Sequence, residues 1–444
     1  MIERIGTLIE EKRLKELREV VGELDPADLA EAMEELGPEG RVVLFRSLPK
    51  DAAAEAFSYL EADTKEDLIA LLSDLELGSV VDGLFLDDAA DLVQEMPANV
   101  VKRLLKNASS ETRRGINHLL QYADDSAGGI MTTELIDLKA DMTVEQAFAH
   151  IRKVGMDKET IYTCYVVDAR RVLIGVVTVR TLLLSRYEDE IGDIMSDARL
   201  IYVKTGDDRE QVTDLFQKYG FIALPVVDDE RRLVGIVTVD DAMTALEEED
   251  TEDFQKMAAM VPIETPYLSA GVLDLARKRI LWLMVLMISA TLSGQIITRY
   301  QAVFAAVPAL IAAIPMLMDT GGNAGSQSST LVIRGMAVGE LSVRDALRVL
   351  GKELRVSLLV GGALAVLNAA WKFVLSGDAL LSFTVGVSLF ATVMFAQTVG
   401  GMLPLLAKAL GLDPALMAAP IVTTIVDAGS LTMYFMVASA VMGA

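Results

Sequence analysis

From Pro414 to Ala444 the chain carries one charged side chain, Asp427, within Thr424-Ile425-Val426-Asp427-Ala428-Gly429-Ser430. The run exceeds the about 20 apolar residues that cross a hydrocarbon core, so Asp427 is expected near mid-membrane. A carboxylate at that depth costs about 2.5–3.5 kcal/mol on insertion scales and belongs in a bundle interior or a water-filled path. A protonated Asp locking two helices together is one reading. Pro420, Thr423 and Thr424 favour the path instead, because they are expected to loosen the helix and supply hydroxyls and carbonyls.

Composition fits a chain of two unlike halves. It is 52% hydrophobic with a mean hydropathy of +0.39, yet its net charge is -24. Residues 1–265 hold 56 Asp and Glu against 29 Lys and Arg, a net -27, whereas residues 266–444 hold 8 against 11, a net +3. An acidic soluble half thus precedes a slightly basic membrane half. Such acidity excludes nucleic acid, whose phosphates demand a basic face, and points to bound cations. The single cysteine, Cys164, allows no disulfide within the chain, so the soluble half is expected in the cytosol. Met1-Ile2-Glu3-Arg4 leads into charged helical sequence rather than a signal peptide.

Within the first half, residues 1–125 show helical periodicity and recurrent units at Leu24-Asp25-Pro26, Leu48-Pro49-Lys50-Asp51 and Leu86-Asp87-Asp88. Each sets an Asp before an apolar stripe, which is helix-start chemistry, and the recurrence predicts a superhelix of stacked helices. Residues 126–245 hold a doubled pattern. Gly129-Ile130-Met131-Thr132 returns as Asp193-Ile194-Met195-Ser196, with helices expected over Val144–Val154 and Arg209–Tyr219, and each copy ends in a strand pair. Two such β-α-β-β-α units resemble a tandem CBS-domain pair, a regulatory module that often binds adenine nucleotides. The resemblance implies ATP as the ligand, with Thr238 and Asp241 of the second copy holding the ribose. The first copy has Arg180-Thr181 there and lacks the Asp.

Residues 246–276 include the run Glu247-Glu248-Glu249-Asp250-Thr251-Glu252-Asp253 and are read as a connecting helix between module and membrane. Residues 277–444 form the membrane domain, with five apolar segments centred near Leu286, Ile311, Leu364, Ala391 and Val426. Arg277, Lys278 and Arg279, then Arg334, Arg344, Arg348, Lys352 and Arg355, and finally Lys408 mark the cytosolic face; Arg299 and Lys372 mark the other. The expected topology is a multi-pass protein of the cell membrane, N-terminus cytoplasmic and C-terminus extracytoplasmic. The second segment is broken by Pro308 and Pro315 and continues as Asp319-Thr320-Gly321-Gly322-Asn323-Ala324-Gly325-Ser326-Gln327, a polar helix leading towards the cytosol.

A mid-membrane carboxylate, a polar second helix and an acidic cytosolic half together suggest a cation path. Hard cations such as Mg²⁺ take oxygen ligands and shed water reluctantly, so one carboxylate from each of two subunits suits a hydrated ion. That implies a symmetric homodimer in the bilayer with the pore on its axis. Over nearly its whole length the chain resembles the MgtE family of magnesium channels. The likeness rests on Pro315 with Thr320-Gly321-Gly322-Asn323-Ala324-Gly325-Ser326-Gln327, on Leu412-Asp413-Pro414-Ala415-Leu416 and on Thr424-Ile425-Val426-Asp427. It implies a homodimeric Mg²⁺ channel or transporter in which Asp427 holds hydrated Mg²⁺, with Asn323, Gln327 and Thr424 lining the pore. It also implies a plug helix locked by cytosolic Mg²⁺, with Asp87, Asp91, Asp241, Glu252, Asp253 and Asp413 as sensor ligands. The family's pore motif has Asp-Val-Thr-Gly where this chain has Asp427-Ala428-Gly429-Ser430, so the Gly is shifted.

Two other readings stay open at this level. Asp319-Thr320-Gly321 and Asp427-Ala428-Gly429 both read Asp-x-Gly, and paired carboxylates could activate water in an intramembrane aspartyl protease. A proton-coupled transporter of another divalent cation or solute is the third reading.

Overall fold

The computed structural model describes residues 2–198, 200–263, 267–268, 270–300 and 307–442. It divides into two compact units, Met1–Glu248 and Glu249–Ala444. The first unit opens with short helices: α1 (Ile2–Glu10), α2 (Leu14–Val21), α3 (Pro26–Glu35), α4 (Pro38–Phe45), α5 (Lys50–Ser58), α6 (Ala62–Leu71), α7 (Asp74–Val81), α8 (Leu86–Glu95), α9 (Ala98–Asn107) and α10 (Ser110–Leu119). Helix α3 packs on α5, α5 on α7 and α7 on α9, while α4 packs on α6 and α8 on α10, so each meets the next but one. Polar links recur thirty residues apart, as in Arg46 to Glu76, Lys65 to Glu95, Gln94 to Asp124 and Thr112 to Asp82. A stacked superhelix results, its core filled by Leu29, Met33, Phe57, Leu68 and Leu77. The repeated Asp does not play one role throughout. Asp25 does cap α3 by accepting from the Ala27 amide, but Pro49 and Phe85 occupy the cap positions of α5 and α8. Asp51, Asp87 and Asp88 therefore sit inside first turns, where the helix dipole favours them.

The doubled pattern folds as two three-stranded sheets. The first is β1 (Asp137–Lys139), β2 (Thr163–Val167) and β3 (Leu173–Thr178), with α11 (Val144–Val154) as the crossover; α12 (Val179–Leu184) and α13 (Ile191–Ile194) follow. The second is β4 (Val203–Lys204), β5 (Ala223–Val227) and β6 (Leu233–Thr238), with α14 (Arg209–Tyr219) as crossover and α15 (Val239–Met257) leaving it. Both crossover helices have the bounds the sequence implies, because Thr143 with Gln146 forms a capping box at one and Asp208 caps the other. The registers match from copy to copy, Thr163 opposite Thr178 and Ala223 opposite Thr238, with the same irregularity after Val166 and Val226. Reciprocal backbone bonds, Leu173 N to Arg231 O (3.0 Å) and Leu233 N to Arg171 O (2.9 Å), tie the copies together.

In the second unit, α16 (Val272–Arg299), α17 (Ile314–Ala337), α18 (Ala346–Ser376), α19 (Ala379–Ala409) and α20 (Ala419–Met442) follow in order. Four segments, Val272–Arg299, Val343–Ser376, Ala379–Ala409 and Pro414–Met442, are long and apolar enough to cross a membrane. Helix α17, with 24 residues, is about 36 Å long and so reaches across a core of about 30 Å, but it is more polar than these four.

Three expectations need correction here. The second segment is not centred on Ile311, which lies in a 3₁₀ turn, Pro308–Ala313; the helix runs from Ile314 and its middle is near Gly325. Pro308 and Pro315 start their helices, where a missing N–H costs nothing, rather than interrupting one. The polar run stays helical because its small residues Gly321, Gly322, Ala324, Gly325, Ser328 and Ser329 are buried against neighbours. A β-carbon on Gly400 of α19 would overlap the Gly325 carbonyl oxygen, which shows how closely the two helices approach.

Next, Pro420 does not loosen α20. It lies in the first turn, and the hydroxyls of Thr423 and Thr424 both donate to its carbonyl at 3.0 and 2.9 Å, reinforcing the start of a helix that runs to Met442. The shifted Gly429 seats the Phe395 ring, which a β-carbon there would overlap. Lastly, residues 246–276 are not one helix. α15 ends at Met257, the chain turns at Ala259 (φ 52°), and α16 begins at Val272. Pro266, which follows the acidic run in the sequence, lies outside the described residues.

Candidate metal sites and the pore helices

The first unit gathers carboxylates from distant parts of the chain. Asp87 and Asp91 are one turn apart on α8, and Asp241 is in the first turn of α15. Glu134 follows the Gly129–Thr132 segment and accepts the Leu86 amide at 2.9 Å, which ties it to the start of α8. Glu159 comes from the loop after α11. Carboxylate oxygens of Asp87, Glu134 and Glu159 lie within 4.8 Å of one another, and Asp87 is only 9% exposed. One oxygen of Glu159 is buried with no hydrogen-bond partner among the described residues. Burial, then repulsion from Asp241 and Glu159, pushes Asp87 well above the usual carboxylate range. Burial with Asp241 and Glu95 brings Asp91 up to about 7, and burial with Asp241 and Asp240 brings Glu159 to about 8. Asp241 rises to about 6, chiefly by burial, although it accepts a hydrogen bond from the Thr238 hydroxyl. Such crowding is relieved either by protons or by a divalent cation.

These shifts carry a sign. A carboxylate whose pKa is raised on folding stabilises the fold below its ordinary pKa and loses that contribution as pH rises through the raised value. Without divalent ions, melting of the cytosolic half in the full-length protein is expected to fall by roughly 5–10 °C between about pH 5.5 and about pH 8.5. Millimolar Mg²⁺, which binds the deprotonated groups, should remove most of that fall. Calorimetry with chelator or Mg²⁺ checks this, and a melting temperature flat with pH in chelator would mean the carboxylates do not confront one another.

A second cluster lies in the second unit. Asp413 accepts the Ala415 amide at 2.8 Å and so caps the short turn Pro414–Met417 that leads into α20. The Lys256 ammonium sits 2.9 Å from Asp413 and 2.7 Å from Glu252. Burial works against this charge, but Glu252 and Asp413 together hold the Lys256 pKa above its usual value. Asp253 follows Glu252 on α15 and is half-buried. Thus Asp87, Asp91 and Asp241 of the expected sensor residues gather in one cluster and Glu252 and Asp413 in another, and α15 contributes Asp241 to the first and Glu252 to the second.

The pore candidates lie on α17 and α20, which pack together through Gly321 and Gly325 against Val422 and Val426. Asp427 is half-buried, and among the described residues no hydrogen bond or ion pair reaches it. Asp319, Asn323 and Gln327 are exposed at four-residue spacing on one face of α17. Thr424 is half-buried, its hydroxyl spent on Pro420. No hydrogen bond among the described residues joins Asp319 to Asp427.

Sequence reasoning missed Glu134, Glu159 and Lys256. None stands in a motif of its own, and Lys256 meets Asp413 across 157 positions of chain. Only the sign of Lys256, a lone base after the six acids between Glu247 and Asp253, set it apart.

Comparison with known proteins follows the same divisions. The family described as divalent cation transporter, MgtE, matches residues 314–437; the MgtE intracellular N domain matches 24–125; and the CBS domain matches 127–187 and 191–248. The magnesium transporter MgtE of Thermus thermophilus is 40% identical over 434 residues, covering 97% of this chain and 96% of that one. Its Bacillus subtilis namesake is 31% identical over 453 residues, covering 99% and 97%. A crystal structure of the cytosolic domain of the Mg²⁺ channel MgtE in complex with ATP superposes with a TM-score of 0.53 at 37% identity, covering 55% of this chain and 99% of that one. The soluble part of a magnesium transporter does so with a TM-score of 0.53 at 31% identity, covering 56% and 97%.

Proposed function

The chain belongs to the MgtE family of magnesium transporters, and from that premise we propose how its own residues conduct and gate the ion. It is a multi-pass membrane protein that moves Mg²⁺, and it is not an enzyme. That sets aside the protease reading of Asp319 and Asp427.

The pore is assigned to α17 and α20 of a homodimer. One observation carries this: a helix long enough to span the bilayer exposes Asp319, Asn323 and Gln327 on one face and packs on the helix that holds Asp427, half-buried and without a partner among the described residues. Lipid cannot accept that face, so a water-filled path shared with a second copy is its natural environment. In this reading Asp427 holds hydrated Mg²⁺, Asn323 and Gln327 line its route, and Thr424 contributes through the helix start it braces. Counting α17 gives five spans, and an odd number together with the basic residues of the loops supports a cytosolic N-terminus and a C-terminus outside.

The domains are taken as 1–125, 126–245, 246–276 and 277–444. Cytosolic Mg²⁺ is sensed by Asp87, Asp91 and Asp241, joined by Glu134 and Glu159, and by Glu252, Asp253 and Asp413 at the connecting segment. ATP is carried over from the relative crystallised with it to the CBS pair, with Thr238 and Asp241 as contacts. Their mutual hydrogen bond has to be shared with the ribose.

Mg²⁺ uptake into liposomes at fixed internal Mg²⁺ tests the whole reading. Flux should run without a proton gradient and fall steeply as internal Mg²⁺ reaches the millimolar range. Flux that requires a proton gradient would replace the channel with a coupled transporter.

A further inference from the structure

We infer that Lys256 is a built-in cationic latch, which pins the end of the connecting helix to the cytosolic mouth of the pore helices without a metal ion. The inference rests on the gating reading above and adds a residue to it. Its ammonium lies 2.7 Å from Glu252 on its own helix and 2.9 Å from Asp413, so one charge closes the gap between two carboxylates. Both acids are partly shielded, each side chain being 31% exposed, and the Lys256 side chain is 22% exposed. Ion pairs so placed are screened less than surface ones.

What the latch holds matters more than its strength. Asp413 uses its other oxygen to cap the Pro414–Met417 turn, from which α20 departs towards Asp427. The carbonyl of Met417, at the end of that turn, accepts the Ser329 hydroxyl of α17 at 3.0 Å. The contact therefore reaches both helices assigned to the pore through two hydrogen bonds. On the helix side, Gln255, next to Lys256, fixes the following segment by accepting the Ile263 amide at 2.6 Å. Lys256 is thus held at a chain reversal rather than at a free end.

Mg²⁺ adds to this contact in the closed state, and Lys256 supplies the part that needs no metal. Removing the ammonium leaves Glu252 and Asp413 facing one another, so the variant should open most where Mg²⁺ is absent. The test is Mg²⁺ flux into liposomes loaded with chelator, using the full-length chain. Lys256→Met should raise that flux by about three- to tenfold, the range a partly shielded pair of ion pairs allows. Lys256→Arg should restore the wild-type value, and in an Asp413→Asn background Lys256→Met should add little. Size-exclusion profiles, with Lys256→Gln as a second neutral variant, separate this effect from misfolding. Unchanged flux in both neutral variants would overturn the latch, as would closure at lower internal Mg²⁺ with no rise in chelator, since that marks Lys256 as a competitor of the metal. A wild-type protein that does not close with Mg²⁺ would instead overturn the gating reading itself.

Discussion

Asp427→Ala is expected to abolish Mg²⁺ flux while leaving assembly and yield unchanged. The carboxylate is half-buried in α20 and no described residue pairs with it, so its loss breaks no internal hydrogen bond. Contacts from a charged oxygen to bound water are worth about 1.5–3 kcal/mol each, and two copies lose about twice that, which is roughly a hundredfold or more in ion occupancy. Asp427→Asn should retain a fraction of the flux through its amide oxygen. Asp319→Asn should cost much less, because Asp319 lies two turns before Gln327 on the exposed face of α17. Liposome uptake decides the point: normal flux in the alanine variant would end the pore assignment, and equal loss at Asp319 would put both carboxylates in one site.

Which of these features the sequence could reveal depended on whether the information was local. The crossover helices Val144–Val154 and Arg209–Tyr219 were legible because caps and apolar spacing lie within a few residues of each boundary. The CBS doubling was legible because the two copies repeat their strand register. The second membrane helix was misplaced for the opposite reason. Pro308 and Pro315 read as breaks in an apolar run centred on Ile311, and only packing against α19 and α20 shows that the small residues after them form the buried face of the spanning helix. Pro420 misled in the same way, since its effect depends on where the helix starts. The acids Asp87, Asp241, Glu252 and Asp413 came from family resemblance. Their division into two clusters, and the ammonium between the last two, are tertiary facts with no local signature.

Deleting residues 1–265 is expected to leave a membrane domain that conducts but no longer closes at high internal Mg²⁺. The domain keeps its own core, in which Leu317, Val393, Val422, Val426 and Phe435 pack with residues drawn only from the second unit, so the deletion does not strip that core. What it removes is the acidic half, with its net -27, together with both Glu252 and Lys256. Unscreened carboxylates at about 4 Å repel by on the order of 4 kcal/mol per pair at a surface-like dielectric. Since about 5.5 kcal/mol carries a two-state equilibrium from 1:99 to 99:1, a few such pairs, bridged or bare, are enough to set the gate. Flux at millimolar internal Mg²⁺ should then approach the flux in chelator, against a large ratio for the intact chain. A complementary deletion of residues 1–248 keeps Glu252, Lys256 and Asp413 and should hold chelator flux below that of the longer deletion. If the 1–265 deletion still shuts off with the intact protein's Mg²⁺ dependence, the sensor lies among the membrane helices, and neither cytosolic cluster gates the pore.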